Sequence, residues 1–449
     1  MGRLRPRVRP RIVGRMDEYR CQPAGGPIEA VVRLPGSKSL TNRALIAAAL
    51  ADGVSVLDGL LLAEDTRLMI DALRALGVAV TVDEAACRAE VTGCRGHLPA
   101  SEARLLCGNS GTTLRFGAAL VALSHGRFEL DGVERMRRRP IGPLADALRR
   151  LGAAVEYPGE EGYPPIVVHA RGLSGGEVRF DSPASSQWIS ALLLVAPYAA
   201  SDVFLEISGE VPSEPYLDMT LAVMERFGVM ALAPDGAPAG RFIVPAPQRY
   251  TGTTLAIEPD ASNATYFLAA AAVCGGRVTV EGLGTGSVQG DVHFVALLEQ
   301  MGCRAAREPD RLTVESPPAG ERLRGIDVDL SAMPDTVPTL AVLALFAEGP
   351  TTIRNVANLR IKETDRLAAL RVELSKLGAT VEERPDGLSI TPAEINGATI
   401  DTYADHRMAM SFALAGLGCP GVTIRDPQCC QKTFPDFFER FEQLIRPRS

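Results

Sequence analysis

Ala72-Leu73-Arg74-Ala75-Leu76-Gly77 is the stretch that decides the fold, because its pattern returns along the whole chain. It recurs as Ala147-Leu148-Arg149-Arg150-Leu151-Gly152, Val223-Met224-Glu225-Arg226-Phe227-Gly228, Leu297-Leu298-Glu299-Gln300-Met301-Gly302 and Leu374-Ser375-Lys376-Leu377-Gly378. The five glycines stand 75, 76, 74 and 76 residues apart. A helix-like segment that ends in an apolar residue and then Gly reads as a left-handed helix stop. Self-similarity at a fixed period marks a repeated architecture. A sixth glycine would fall just past Ser449, and a helix-like run over 436–445 stands where the sixth copy needs it.

Outward from each glycine lies a second landmark, a helix rich in small residues followed by a β-type run. The helices are predicted over 39–50, 112–123, 185–195, 262–273, 336–346 and 406–417, with strands starting at Ser55, Phe128, Val203, Val278, Thr351 and Val422. Ala and Leu supply helix propensity, and Ser, Thr, Asp or Asn near most starts supplies caps. Gly53, Gly126, Gly275 and Gly349 read as closers of these helices. The small-residue helices look buried all round, whereas the Gly-ending ones alternate charge and look half exposed. The class is therefore α/β, with units of roughly helix–strand–helix–strand–strand.

Six such units exceed one core, so two domains of three units are expected. The boundaries fall at 17–36 plus 258–449 for a discontinuous domain and 37–257 for the other, with a crossover hinge near 258–261. The strand at 29–34 is expected to pair with the C-terminal half. Residues 1–16 carry six arginines and no acid, and read as a disordered tail or an early start before Met16.

Composition narrows the function. The 449 residues are 46% hydrophobic and 22% charged, as in an ordinary globular protein. A net charge of -7 argues against nucleic acid as the main partner. No apolar run reaches membrane-spanning length, and the longest, 189–200, is broken by Pro197. Nine cysteines without a C-x-x-C pair suit reduced thiols in a cytoplasm and not a zinc site.

Chemistry is expected where the buried helices begin, because helix N-termini favour anions. The first copy opens Leu34-Pro35-Gly36-Ser37-Lys38-Ser39, with Ser39 as candidate cap and Arg43 one turn on. The second opens Gly108-Asn109-Ser110-Gly111-Thr112-Thr113, a backbone nest followed by Arg135-Met136-Arg137-Arg138-Arg139. The third presents Ser185, Ser186 and Gln187, the fifth Asp335, the sixth Asp405-His406-Arg407. In Lys362-Glu363-Thr364-Asp365-Arg366 two cations four residues apart would share a helix face, unfavourably unless an anion or the acids between them intervene. Capped helices with solvated cations explain any one of these segments equally well.

Taken together they resemble the enolpyruvyl transferases, over about residues 20–449. The resemblance rests on Leu34-Pro-Gly-Ser-Lys-Ser with Asn42-Arg43, Gly108-Asn-Ser-Gly-Thr, Arg139-Pro-Ile-Gly, Ser185-Ser-Gln, Lys362-Glu-Thr-Asp-Arg, Asp405-His-Arg-Met-Ala and Lys432-Thr-Phe-Pro-Asp. It implies two domains of three βαβαββ units each, with buried helices and sheets outside, that close on substrate. It implies transfer of enolpyruvyl from phosphoenolpyruvate to the 5-hydroxyl of shikimate 3-phosphate, in the shikimate pathway, by a cytoplasmic monomer without metal or organic cofactor.

By matching position, shikimate 3-phosphate would meet Lys38, Ser39, Arg43, Ser185, Ser186, Gln187, Ser213, Asp335, Asn358 and Lys362. Phosphoenolpyruvate would meet Lys38, Gly111, Arg139, Gln187, Arg366, Arg407 and Lys432. Asp335 is the candidate base, and Glu363 the candidate proton donor with Lys38 second. The chain departs from the family pattern at Phe116, where Pro is common, at Ser110 and Thr113, where Ala is common, at Leu359 for Trp and at Glu214 for Lys. The sister reaction on a UDP-sugar typically uses a loop cysteine, and residues 134–139 have none. A non-catalytic anion-binding scaffold is the alternative of another class.

Overall fold

The computed structural model describes residues 17–232 and 240–445, so the expected tail at 1–16 lies outside the described residues. Twelve α-helices among them alternate in character. Those numbered odd are α1 (Lys38–Leu50), α3 (Gly111–Ala122), α5 (Ser186–Val195), α7 (Ala261–Cys274), α9 (Val337–Leu343) and α11 (His406–Gly418). Each is buried along nearly its whole length. Those numbered even are α2 (Glu64–Ala75), α4 (Gly142–Arg150), α6 (Pro215–Arg226), α8 (Phe294–Gln300), α10 (Arg366–Lys376) and α12 (Phe437–Gln443), each with one apolar face inward.

The recurring glycines end α2, α4, α6, α8 and α10 as the sequence predicts. Gly77, Gly152, Gly228, Gly302 and Gly378 all have φ between 82° and 108°. The residue after each donates its N–H five residues back, at 2.9–3.2 Å, from Val78 to Leu73, Ala153 to Leu148, Val229 to Met224, Cys303 to Leu298 and Ala379 to Leu374. This is the Schellman closure, which satisfies the last helical carbonyls and turns the chain into the next strand. Among the glycines expected to close the buried helices, only Gly275 occupies the cap itself. Gly53 follows three residues after α1, Gly126 lies inside a strand and Gly349 follows one. The fifth buried helix is shorter than expected, because single turns of tighter helix, Pro334–Thr336 and Ala344–Phe346, flank it.

The strands form sheets of one recurring order. Thr254–Ala256 lies parallel to Val54–Asp58, which is followed outward by antiparallel Arg88–Thr92 and Ala79–Asp83. The same order joins Glu102–Leu106, His125–Asp131, Ile166–Arg171 and Ala154–Glu156. It returns in Ile28–Arg33, Gly276–Glu281, Arg311–Glu315 and Arg304–Arg307, and in Asp327–Asp329, Thr351–Arg354, Gly387–Thr391 and Thr380–Arg384. Two three-stranded versions follow it, Gly176–Asp181 with Val203–Ser208 and Arg241–Val244, and Thr399–Ile400 with Thr423–Arg425 and Glu18–Arg20, and Leu323–Arg324 pairs in parallel with Ala347–Glu348 as a separate two-stranded sheet. No helix among the described residues is long and apolar enough to cross a membrane.

Buried apolar side chains gather into two cores. One runs from Leu40 to Ile257; the other takes Cys21, Ile28 and Leu34 together with residues from Ala261 to Leu444. Small hydroxyls and amides tie the buried helices inside each. Asn42 Nδ2 donates to Thr112 Oγ1 at 2.7 Å, Thr265 and Thr339 hydroxyls meet at 3.1 Å, and Thr339 reaches Ser411 at 3.4 Å. The chain passes between the cores twice, side by side. Ser37 N–H donates to Glu258 O at 2.7 Å and Asp260 N–H to Pro35 O at 2.9 Å, an antiparallel pair with Gly36 opposite Pro259. The strand before the first copy pairs with the C-terminal half, as expected.

The crossing leaves no room at Gly36, where an added Cβ would lie 2.1 Å from the backbone oxygen of Gly59. At Gly228 the nearest atom to an added Cβ is Thr251 Oγ1 at 3.8 Å, so only the positive φ opposes a side chain. Gly228→Ala is expected to cost about 1–2 kcal/mol, and Gly36→Ala more than that, by urea unfolding. An equal or reversed order would contradict a tight crossing.

Candidate active site

Six buried helices aim their N-termini at the region between the cores, and caps sort them into two kinds. Ser37, Ser110 and Ser185 cap α1, α3 and α5 with hydroxyls that accept backbone N–H groups. The cap of α1 is thus Ser37; Ser39, the sequence-based candidate, lies inside the helix. Asp260 and Asp405 cap α7 and α11 with carboxylates, and Asp335 sits in the turn that leads into α9. Asp260 also accepts the N–H of Lys38 at 3.1 Å, so α1 and α7 meet across the crossing. The start of the fourth copy therefore borders the cleft.

Asp335 is the hub. Arg407 Nη2 donates to it at 2.7 Å and Arg366 Nη1 at 3.1 Å; Lys362 Nζ stands 4.0 Å away and Tyr216 Oη 3.4 Å away. Arg366 binds Asp405 at 2.7 and 3.1 Å and Glu363 at 2.9 Å. Asp405 also accepts the Arg407 N–H, so the arginine in the first turn of α11 has its helix end neutralised. Lys362 and Arg366 do not share a helix face. Lys362 is extended, between a short turn of helix ending at Ile361 and α10 beginning at Arg366, and the two cations meet through Asp335 instead.

Reaching across the cleft from the same core as Glu363, Lys432 Nζ is bonded to Asp65, donates to Asn109 O at 2.9 Å and lies 4.0 Å from Glu363. Lys38 Nζ reaches the other oxygen of Asp65 at 3.4 Å. Arg139 Nη1 donates to the same Asn109 carbonyl at 3.1 Å, and its buried Nε has no partner. Gly111 is wedged here: an added Cβ would stand 2.6 Å from Arg115, 2.8 Å from Arg139 and 3.1 Å from Gln187. Arg115 Nη1 holds Gln187 Oε1 at 2.9 Å. Arg43 is buried and spends most donors internally, on Thr220 at 2.7 Å, Ser190 at 3.2 Å and the carbonyls of Tyr216 and Ser39. Ser186, Ser213 and Asn358 make no side-chain hydrogen bond to this network, and Ser185 meets it only by accepting the Gln187 N–H at 3.3 Å; Ser213 N–H joins the cores through Ser331 O at 2.7 Å, and buried Asn358 Oδ1 is unpartnered.

The charges are strongly coupled. Burial raises the Asp335 carboxyl, but Arg407, Lys362, Arg366 and Lys38 outweigh it and hold the group far below the usual carboxylate range. Glu363 is likewise held well down, burial opposing Arg366, Arg139, Lys432 and His406. Burial lowers Arg43 to about 10, and burial with the neighbouring Arg139 lowers Arg115 to about 9. An anion that draws these cations to itself loosens their hold on Asp335 and Glu363 and raises both toward proton-transfer range.

Sequence reasoning missed several partners. Asp65 bridges Lys38 and Lys432, yet a lone Asp in a helix's first turn signals only dipole compensation. Arg135, in a run that usually marks a solvated loop, donates to the carbonyls of Lys362 at 2.7 Å and Arg360 at 3.2 Å, spanning the cleft. Arg115 carried no signal beyond its place in the predicted helix over 112–123, and Tyr216 carried none.

A family model for EPSP synthase (3-phosphoshikimate 1-carboxyvinyltransferase) matches residues 23–441. The chain is 46% identical over 430 residues to a 3-phosphoshikimate 1-carboxyvinyltransferase of Nostoc punctiforme, covering 96% of this chain and all of that one. It is 49% identical to the chloroplastic 3-phosphoshikimate 1-carboxyvinyltransferase of Solanum lycopersicum, covering 93% and 83%. The solved EPSP synthase of Acinetobacter baumannii superposes with a TM-score of 0.78 at 26% identity, over 96% of this chain and 98% of that one.

A depressed carboxyl stabilises the fold above its unfolded pKa, near 3.8, and loses that contribution as pH falls through its lower folded value. Asp335→Asn is therefore expected to be less stable than wild type from pH 5 to 7, with the deficit shrinking below about pH 4. Thermal unfolding across pH measures it, and a deficit constant down to pH 2 would contradict the depressed carboxyl.

Proposed function

We propose a working mechanism for this cleft from one premise: the chain belongs to the EPSP synthase family. It transfers the enolpyruvyl group of phosphoenolpyruvate to shikimate 3-phosphate with release of phosphate, a step toward aromatic amino acids. The observation that carries the site reading is the ring of Lys362, Arg366 and Arg407 about Asp335, facing Lys38, Arg139 and Lys432. Six cations gathered at one cleft suit two multiply charged anions lying together.

Shikimate 3-phosphate lies, on this reading, against Lys38, Ser39, Arg43, Ser185, Ser186, Gln187, Ser213, Asp335, Asn358 and Lys362. The unpartnered Asn358 Oδ1 accepts a ring hydroxyl. Phosphoenolpyruvate meets Lys38, Gly111, Arg139, Gln187, Arg366, Arg407 and Lys432; the missing side chain at Gly111 lets the heads of Arg115, Arg139 and Gln187 draw together at the start of α3. Glu363, or Lys38, gives a proton to C3 of the enol, which makes C2 electron-poor. The 5-hydroxyl oxygen bonds to C2 as its proton passes to Asp335. Phosphate then leaves C2 of this tetrahedral adduct as C3 returns its proton. Substrate anions raise Asp335 and Glu363 into range for both transfers, because they share the cations that depress them.

The two cores are read as two lobes, 17–36 plus 258–449 and 37–257, that close over the substrates about a hinge near 258–261. The bonds from Arg135 to the Lys362 and Arg360 carbonyls support closure, since they join the lobes at the cleft. Nine free thiols suit a reducing cytoplasm. A monomer is the proposed state, and light scattering tests it.

A coupled phosphate-release assay is expected to show turnover of shikimate 3-phosphate with phosphoenolpyruvate, and Asp335→Asn to lower kcat about 10²–10⁴-fold. Acceptance of UDP-N-acetylglucosamine instead, or binding without phosphate release, would overturn the assignment. Lys432→Met is expected to raise KM for phosphoenolpyruvate about tenfold or more, with less effect on shikimate 3-phosphate. Equal losses for both would remove Lys432 from its assigned place.

A further inference from the structure

Asp291 is a buried carboxylate at the cleft edge that the mechanism above does not use. It lies in a short helical turn, Gly290–His293, and is 4% exposed. Ser262, in the first turn of α7, donates to one oxygen; the other, Oδ1, accepts no hydrogen bond. It borders a cavity with room for about one water molecule, shared with Lys38, Ser39, Tyr216, Asp260 and Arg407. An orphaned acceptor beside a guanidinium already divided between Asp335 and Tyr266 is a competitor for that guanidinium.

We propose that Asp291 is a positioning residue whose protonation sets how freely Arg407 engages phosphoenolpyruvate. Neutral, it leaves Arg407 to Asp335 and the incoming anion. Ionised, it draws Arg407 toward itself and adds a negative charge beside the anion's place. The charged and titratable groups around it come from every neighbouring element: Lys38 from α1, Tyr216 from α6, Asp260 at the start of α7, Asp335 before α9 and Arg407 from α11. Burial first, then Asp335 and Asp260, push its carboxyl up to about 7 against Ser262 and Arg407. The change of charge thus falls near neutral pH. Tyr216, buried and pushed well up, stays neutral there.

The test rests on the reaction proposed above and compares wild type with Asp291→Asn, which fixes the neutral form at nearly the same size. The ratio of wild-type to variant KM for phosphoenolpyruvate is expected near one at pH 6, rising about three- to tenfold by pH 8.5; the ratio cancels the titration of phosphoenolpyruvate itself. Ser262→Ala removes the hydrogen bond that favours the ionised form, so the rise should move to higher pH. A flat ratio in active enzymes overturns this proposal alone. An unmoved rise in Ser262→Ala overturns the role of Asp291 as its source, and absence of wild-type turnover overturns both this proposal and the reaction.

Discussion

Burying a helix end among other helix ends is the constraint on which the structure depends. Each odd-numbered helix is buried along most of its length, and its first N–H groups need acceptors where it meets the cleft. The chain solves this differently in its two cores. Ser110 and Ser185 cap with neutral oxygens and leave the partial positive charge of α3 and α5 in place, whereas the end of α1 is shared between Ser37 and the Asp260 carboxylate. Asp260, Asp405 and the nearby Asp335 cancel that charge on the facing side, and their surplus negative charge is what holds Arg366 and Arg407. One face thus offers bare helix ends and the other a lattice of arginines on carboxylates. Both favour anions, the first through fixed dipoles and the second through side chains that can be re-shared.

That re-sharing explains why the cleft can hold so many buried charges. A buried ion pair gains little over a well-packed apolar pair, and losing one partner is costly. Asp65, between Lys38 and Lys432, keeps two cations in place from opposite cores. Arg366, 1% exposed with three carboxylate partners, is a rigid post, whereas Arg407 has one carboxylate and a tyrosine hydroxyl. The two are not equivalent ligands for an incoming anion.

The glycine stops were legible because left-handed φ is a local demand that only a few residues meet, and it repeats five times. The buried helices were legible from Ala-rich composition, within one or two residues at most ends. Caps were harder. Ser37 and Ser39 offer equally good hydroxyl acceptors in sequence, and the turn at Pro35-Gly36 places Ser37 at the cap. Lys362 and Arg366 show the limit of periodicity: spacing of four implies a common face only if a helix runs through both, and here one starts at the second. Asp65 and Arg135 act across more than 200 residues, on Lys432 and on the Lys362 carbonyl, and no local pattern encodes such a partner. Phe116 is a departure with a visible use: its ring lies 5.3 Å beneath the Arg43 guanidinium, an apolar floor for a cation that burial has weakened.

The side-by-side crossing at Pro35–Ser37 and 258–260 has a consequence for synthesis. The strand Ile28–Arg33 leaves the ribosome early, yet its partner Gly276–Glu281 follows more than 240 residues later. At about 5–20 residues per second the strand waits roughly 12–50 seconds. In that interval the core from Leu40 to Ile257 can complete itself, because every strand it uses has already been made. The nascent chain therefore carries a finished body behind a still unpaired, valine-bearing strand until the second body forms.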